Sequence, residues 1–262
     1  AALTDNTGTG ANVFANGPTI NGGTIKNVVI PPTMATHVIV DEDFPNGSSA
    51  YALQGSGTSS VPTAERFTGV DKGYVRLLTG SLSGNSAYIA APTAEYVNYS
   101  KMFAKIRIPT ITSVKVLMAI GNTGANVWTV HRVGVLFDPA VSSGFLFDWK
   151  MSSTTTTIGT FPITGSPTVA PNTDYILGMS VLGASPYATG AAQSYKVAIW
   201  SATGTLLAEQ MFSFSGGGIN SGNSAGVFIQ THTAATRAVY VDWLKILGPE
   251  ASESFPFIET WT

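Results

Sequence analysis

The chain has 262 residues, of which 44% are hydrophobic and only 11% charged, with a formal net charge of −2, 28 glycines and no cysteine. Charge this sparse, with no Lys/Arg cluster, leaves no electrostatic footprint for a nucleic-acid backbone, and the missing thiols exclude disulfides and thiolate metal sites. No apolar run approaches the roughly 20 residues of a membrane helix, no signal-peptide pattern is read, and the hydrophobic fraction argues against a disordered chain.

Residues 1–36 come first and differ from the rest. They are rich in Gly, Asn and Thr, with isolated apolar residues such as Val13, Phe14, Ile20 and Ile25. Such a segment cannot bury its own apolar groups, so it is expected either to be a flexible leader or to find partners on another chain or on the main domain. Residues 37–247 then run as short stretches separated by Gly/Pro/Asn/Ser turns: HVIVDEDF, GYVRLLTG, NSAYIAAP, KMFAKIRIPTI, VKVLMAIGN, WTVHRVGVLFD, GFLFDWKM, TTTTIGTFPI, DYILGMSVLG, SYKVAIWSA, TLLAEQMFSF, GVFIQTHT and AVYVDWLKI. Met102, Ala104, Ile106 and Ile108 share one parity, while Lys105 and Arg107 share the other. Val114, Val116, Met118 and Ile120 alternate in the same way against Lys115. Period-two alternation predicts strands with one face buried and one wet, as in antiparallel sheets. One helical turn is expected where Pro92 and Thr93 could open it. Many strands without helices leave a two-sheet sandwich or a barrel. Residues 248–262 form a tail whose Phe255, Phe257, Ile258 and Trp261 are expected to dock on a neighbouring subunit or on the chain's own sandwich.

Two stretches resemble known families. Gly8, Thr9, Gly10, Ala11, Val13, Phe14, Gly17, Pro18, Thr19 and Ile20 resemble a segment common in bacteriophage tail fibre proteins. That resemblance implies an elongated, trimeric attachment region. VIVDEDF at 38–44 and TRAVYVDWLKIL at 236–247, with KMFAKIRIP between them, look like the strands of a concanavalin A-like (lectin/glucanase) jelly roll. In that family the first and last strands sit side by side. The implied fold is all-β, an antiparallel two-sheet jelly-roll sandwich with an extended N-terminal fibre segment.

Candidate chemistry is thin. Glucanases on this fold carry their carboxyls on one strand, as Glu-x-Asp-x-Glu, and no Glu here has that spacing. Asp41, Glu42 and Asp43 are the densest acidic run, at the entry of the first strand. Gln230-Thr231-His232 resembles the Gln-x-His strand of alginate lyases, and the spacing puts Gln230 and His232 on one face, but the rest of that pattern is missing. No Gly-x-Ser-x-Gly elbow on a strand-to-helix turn is read. His37, His131 and His232 are too scattered to argue a metal site, and the parity of His131 with Val133, Val135 and Phe137 predicts a core position. Asp242 with oxygens around Asp41 to Asp43 could hold a structural Ca²⁺, but no metal or cofactor is assigned.

Sugar recognition needs aromatic faces and convergent polar groups. Trp149 falls with Phe145 and Phe147 and is expected in the core; Trp243 lies in a mixed strand. Trp128 shares a face with Arg132, and Trp200 with Lys196, so these two are expected to be accessible. Trp128, Arg132, Asp148, Gln230 and His232 are the expected binding surface, or else surface or subunit-contact residues without a ligand. The expected protein is a homotrimeric virion component assembled in the host cytoplasm, a tail fibre or a head fibre or decoration. It attaches to other virion proteins through residues 1–36 and binds a host-surface polysaccharide rather than catalysing a reaction, without nucleic acid or membrane insertion. The alternative is a capsule or exopolysaccharide depolymerase, a glycoside hydrolase or lyase of a tailspike.

Overall fold

The computed structural model describes residues 38–42, 53–56, 74–90, 101–122, 128, 132–150, 158–183, 193–214 and 223–247. The leader 1–36, His37, the helical turn expected at Pro92, His131 and the tail 248–262 lie outside the described residues. Among the described residues there are fourteen strands and no α-helix. In chain order they are β1 (Val38–Glu42), β2 (Leu53–Ser56), β3 (Val75–Leu78), β4 (Ser86–Ala90), β5 (Lys101–Arg107), β6 (Val114–Asn122) and β7 (Arg132–Phe137). There follow β8 (Phe145–Lys150), β9 (Ile158–Pro162), β10 (Asp174–Gly183), β11 (Gln193–Ser201), β12 (Leu206–Phe214), β13 (Asn223–Thr231) and β14 (Ala238–Leu247).

The strands form two antiparallel sheets. Sheet A runs β1-β14-β5-β10-β11-β12, with β3 also pairing β14, and sheet B runs β2-β4-β13-β6-β7-β8-β9. The fold is therefore the two-sheet sandwich and not a barrel. First and last strands are neighbours, Asp41 opposite Lys245. Only β2 was not legible as a strand: Leu53–Ser56 holds one apolar residue in four, too little to make a period.

The inward parities meet between the sheets. Met102, Ala104, Ile106, Ile108, Val114, Met118 and Ile120 are each 0% exposed and belong to one core. An aromatic column ties the sheets together where β8 faces β12. Phe147 stacks 4.4 Å from Phe212, and Trp149 stacks 4.5 Å from Phe214. Large rings carry much of a core's burial, and offset stacking adds to it.

The expectation of one wet face per strand needs correction. Outside the main core, Tyr88, Ala90, Leu117, Ala119, Leu136, Leu146 and Phe228 form a second buried cluster on the outer face of sheet B. Phe103, Ile176, Ala198 and Trp200 form a third on the outer face of sheet A. The central strands carry apolar residues at both parities, as in KVLMAI, so they are buried on both sides. Trp200 is accordingly 7% exposed, which overturns its expected accessibility. Its ring lies over Gly178, where a Cβ would come within 2.6 Å of it.

Candidate functional site

Strand register fixes where the expected site residues lie. On β13, Gln230 faces Lys115 of β6 and Ser86 of β4. On β7, Arg132 faces Gly121 of β6 and Lys150 of β8, while Asp148 faces Gly134 and Thr160. Arg132, Asp148 and Gln230 thus share the outer face of sheet B, at its two ends. Lys115 and Gly121 are six residues apart on β6, which at about 3.3 Å per residue separates the ends by roughly 20 Å. The structure does not bring the five residues into one cluster.

At one end stands a buried ion pair. Arg132 Nε donates to Asp148 Oδ2, and an Arg132 amino group donates to the backbone carbonyl of Trp128 at 2.7 Å. Thr160 Oγ1 donates to the other oxygen of Asp148 at 3.2 Å. Asp148 is 0% and Arg132 8% exposed. Trp128 is half-buried against the apolar cluster of sheet B, and its indole N–H is buried without a partner. Beside this pair, burial and then the charge of Arg132 lower the pKa of the Lys150 ammonium. An arrangement in which every charge is committed to a neighbour fixes the positions of β7, β8 and the Trp128 backbone.

The other end is more open. His232 Nε2 lies 2.9 Å from Asp138 Oδ1, and Lys115 Nζ lies 3.5 Å from Asp138 Oδ2. The Asp138 side chain is 7% exposed, against 27% for His232 and 29% for Lys115. The N–H of Ala140 also donates to Asp138 at 3.0 Å, so the carboxylate is held from two sides. Gln230 Nε2 donates to the carbonyl of Gly84 at 3.2 Å, and Ser83 donates to the carbonyl of His232 at 2.8 Å. A buried carboxylate that orients an imidazole is an arrangement suited to hydrogen bonding and proton transfer. Lys115 and Asp138 were not singled out from the sequence. The available signal was parity: Asp138 directly follows β7 in phase with Arg132 and Leu136, next to a Pro that stops the strand.

Of the other candidates, Trp149 lies in the core at 6% exposure, and Trp243 is half-buried against the third cluster. Asp242 is engaged by Lys105 at 2.5 Å. Among the described residues no group of three or more His, Asp or Glu converges as a metal site would require.

No family model matches the sequence, and no curated protein is similar to it at a significant level. Solved structures do match. A protein of unknown function from Shewanella oneidensis superposes with a TM-score of 0.53 at 12% identity, covering 89% of this chain and all of that one. A β-glucanase of Bacillus licheniformis gives 0.50 at 9% identity, over 82% of this chain and all of the enzyme. The alginate lyase vAL-1 from Chlorella virus gives 0.50 at 10% identity, over 81% of this chain and all of the lyase. The fold is that of the concanavalin A-like jelly rolls. At these identities the likeness speaks for the fold alone. It still corrects one expectation, that the chain binds rather than catalyses. That expectation rested on the missing Glu-x-Asp-x-Glu spacing and the incomplete lyase pattern, and the same sandwich carries a glucanase and an alginate lyase.

Proposed function

We propose that this chain is a polysaccharide-recognising jelly roll displayed on a bacteriophage particle, with its glycan contacts at the Lys115, Asp138, Gln230 and His232 end of sheet B. The observation that carries the reading is the cluster itself: a fixed carboxylate, an imidazole, an ammonium and an amide within one strand-end surface. Sugar hydroxyls are both donors and acceptors, and a few convergent groups of mixed type suit them. At the far end Trp128 is the half-exposed member of its trio and the one to meet a sugar ring, while Arg132 and Asp148 hold it in place. The fibre-like residues 8–20 support the virion setting, in a tail fibre or a head fibre or decoration. Residues 1–36 then serve trimerisation and attachment to other virion proteins, and the particle is assembled in the host cytoplasm.

One observation favours a second reading, cleavage of the same glycan. With Nε2 held by Asp138, the His232 ring can use Nδ1 toward a substrate, as a general base would. Both readings are tested by presenting capsular and exopolysaccharides to the full chain and to His232→Ala. Titration calorimetry reports binding, and new reducing ends or unsaturated sugars report cleavage. Binding that falls at least tenfold in His232→Ala supports the site, and products made by the parent protein alone select the second reading. No binding and no product with any polysaccharide, or a variant indistinguishable from the parent, overturns both.

A further inference from the structure

The strand β12 ends sheet A, and among the described residues it pairs only with β11. Its nine residues LLAEQMFSF contain no Lys, Arg or Pro, the residues that commonly blunt a free edge. Leu206, Leu207 and Met211 are 50%, 38% and 56% exposed along it. Its one charge, Glu209, is matched by Lys196 at 2.8 Å. A long, largely apolar edge whose one charge is already paired invites another strand.

We propose that β12 is the edge at which a second copy of this chain adds, antiparallel, across a two-fold axis at Met211. The register follows from what each alternative would juxtapose. An axis at Glu209 sets two carboxylates opposite one another. An axis at Gln210 draws Leu207 into the ladder, and the carbonyl of Leu207 lies toward the β9–β10 turn, where a Cβ on Gly165 would be 4.0 Å from it. An axis at Met211 uses only residues 208–214 and pairs each with a complement. Met211 meets its own counterpart, and Glu209 meets the hydroxyl of Ser213. On the inner face, small Ala208 meets Phe214, and Gln210 meets Phe212. Phe212 and Phe214 already close the aromatic column at this side of the sandwich, so the pairing extends an apolar surface that exists in one copy. A two-fold contact of this kind is isologous and closes on itself, so it doubles whatever assembly the leader makes.

Sedimentation equilibrium of the full chain tests it. The expected mass is an even multiple of the chain mass, halved in Met211→Lys, which alters an exposed position and should leave the circular dichroism spectrum unchanged. Directly opposed residues have Cβ atoms about 4.5–5.5 Å apart, close to the span a disulfide closes. Met211→Cys should therefore form a linked dimer under mild oxidation, in a chain with no other cysteine. Leu82→Cys, 57% exposed on the β3–β4 connection, should not. An odd or single-copy mass, a mass that Met211→Lys leaves unchanged, or linking of Met211→Cys no faster than of Leu82→Cys would each overturn the proposal.

Discussion

Replacing Arg132 by Met tests whether the buried ion pair of sheet B is a structural clamp. In the parent protein Asp148, 0% exposed, has the Arg132 guanidinium on one oxygen and the Thr160 hydroxyl on the other. Arg132→Met leaves that carboxylate buried with the hydroxyl alone and releases the carbonyl of Trp128. Removing one partner of a buried pair costs about 3–5 kcal/mol, because the survivor is an uncompensated charge. For a chain of this size about 2–4 °C accompanies each kcal/mol, so the melting temperature should fall by roughly 6–20 °C. Adding Asp148→Leu should restore most of it. The new Leu would lie on the face that already holds Leu136 and Leu146, and replacing both members of a buried pair with apolar residues is often neutral. Differential scanning calorimetry on the parent, both single variants and the double variant closes the cycle. A single variant melting within about 2 °C of the parent, which is roughly 1 kcal/mol or less, would refute the clamp. So would a double variant as unstable as the two single losses added.

Two further outcomes are expected. Gly226→Ala should destabilise by about 1–3 kcal/mol, since overpacking moves the backbone: the new Cβ would lie 2.1 Å from the carbonyl oxygen of Ile89 and 2.6 Å from Ala90 Cα. A urea midpoint equal to the parent's would contradict this. Burial raises the hydroxyl pKa of both Tyr74 and Tyr195 above the ordinary range, with Asp174 contributing next at Tyr74. The native state then keeps protons that the unfolded chain gives up, so stability is fully present below about pH 10 and falls above it, by up to about 1.4 kcal/mol per pH unit for each tyrosine. Tyr195→Phe should flatten the fall seen by urea unfolding at alkaline pH. An equally steep fall in that variant would show that Tyr195 is not its source.

How much was legible follows from where alternation held. KMFAKIR and VKVLMAIGN announced both their strand character and their inward face, because Met102, Ala104, Val114 and Val116 fall at one parity in an uninterrupted run. The same rule misjudged exposure at Trp200. Parity separates two faces of a strand but does not say whether the second is covered, and Phe103, Ile176 and Ala198 around Trp200 come from three different strands. The candidate site was half legible for a related reason. Pairing Gln230 with His232 needs only period two within one strand. Joining His232 to Asp138 needs the turn after β7 to approach the end of β13, a contact 94 residues apart in sequence. The Arg132–Asp148 contact spans 16 residues and two adjacent strands, so a shared surface was within reach of sequence reasoning, but its burial was not.

The low charge content and the position of the polar clusters have one origin. A sandwich of two sheets ordinarily needs polar residues along every outward parity. Here the outward parities of the central strands are filled by Leu117, Leu136, Leu146 and Phe228 on sheet B, and by Phe103, Ile176 and Trp200 on sheet A, all at most 7% exposed. Charged groups on sheet B are thereby displaced to strand ends, as Arg132 and Asp148 at one and Lys115, Asp138 and His232 at the other. At the first end they neutralise one another out of water; at the second, His232 and Lys115 remain about a quarter exposed. Among the described residues of sheet B, the partly exposed charged cluster is therefore the one at the His232 end, while the longest described stretch where large hydrophobic side chains reach solvent is the edge strand β12 of sheet A. The two surfaces belong to different sheets, so a second copy seated on β12 leaves the His232 cluster of each copy on a sheet that the pairing does not extend.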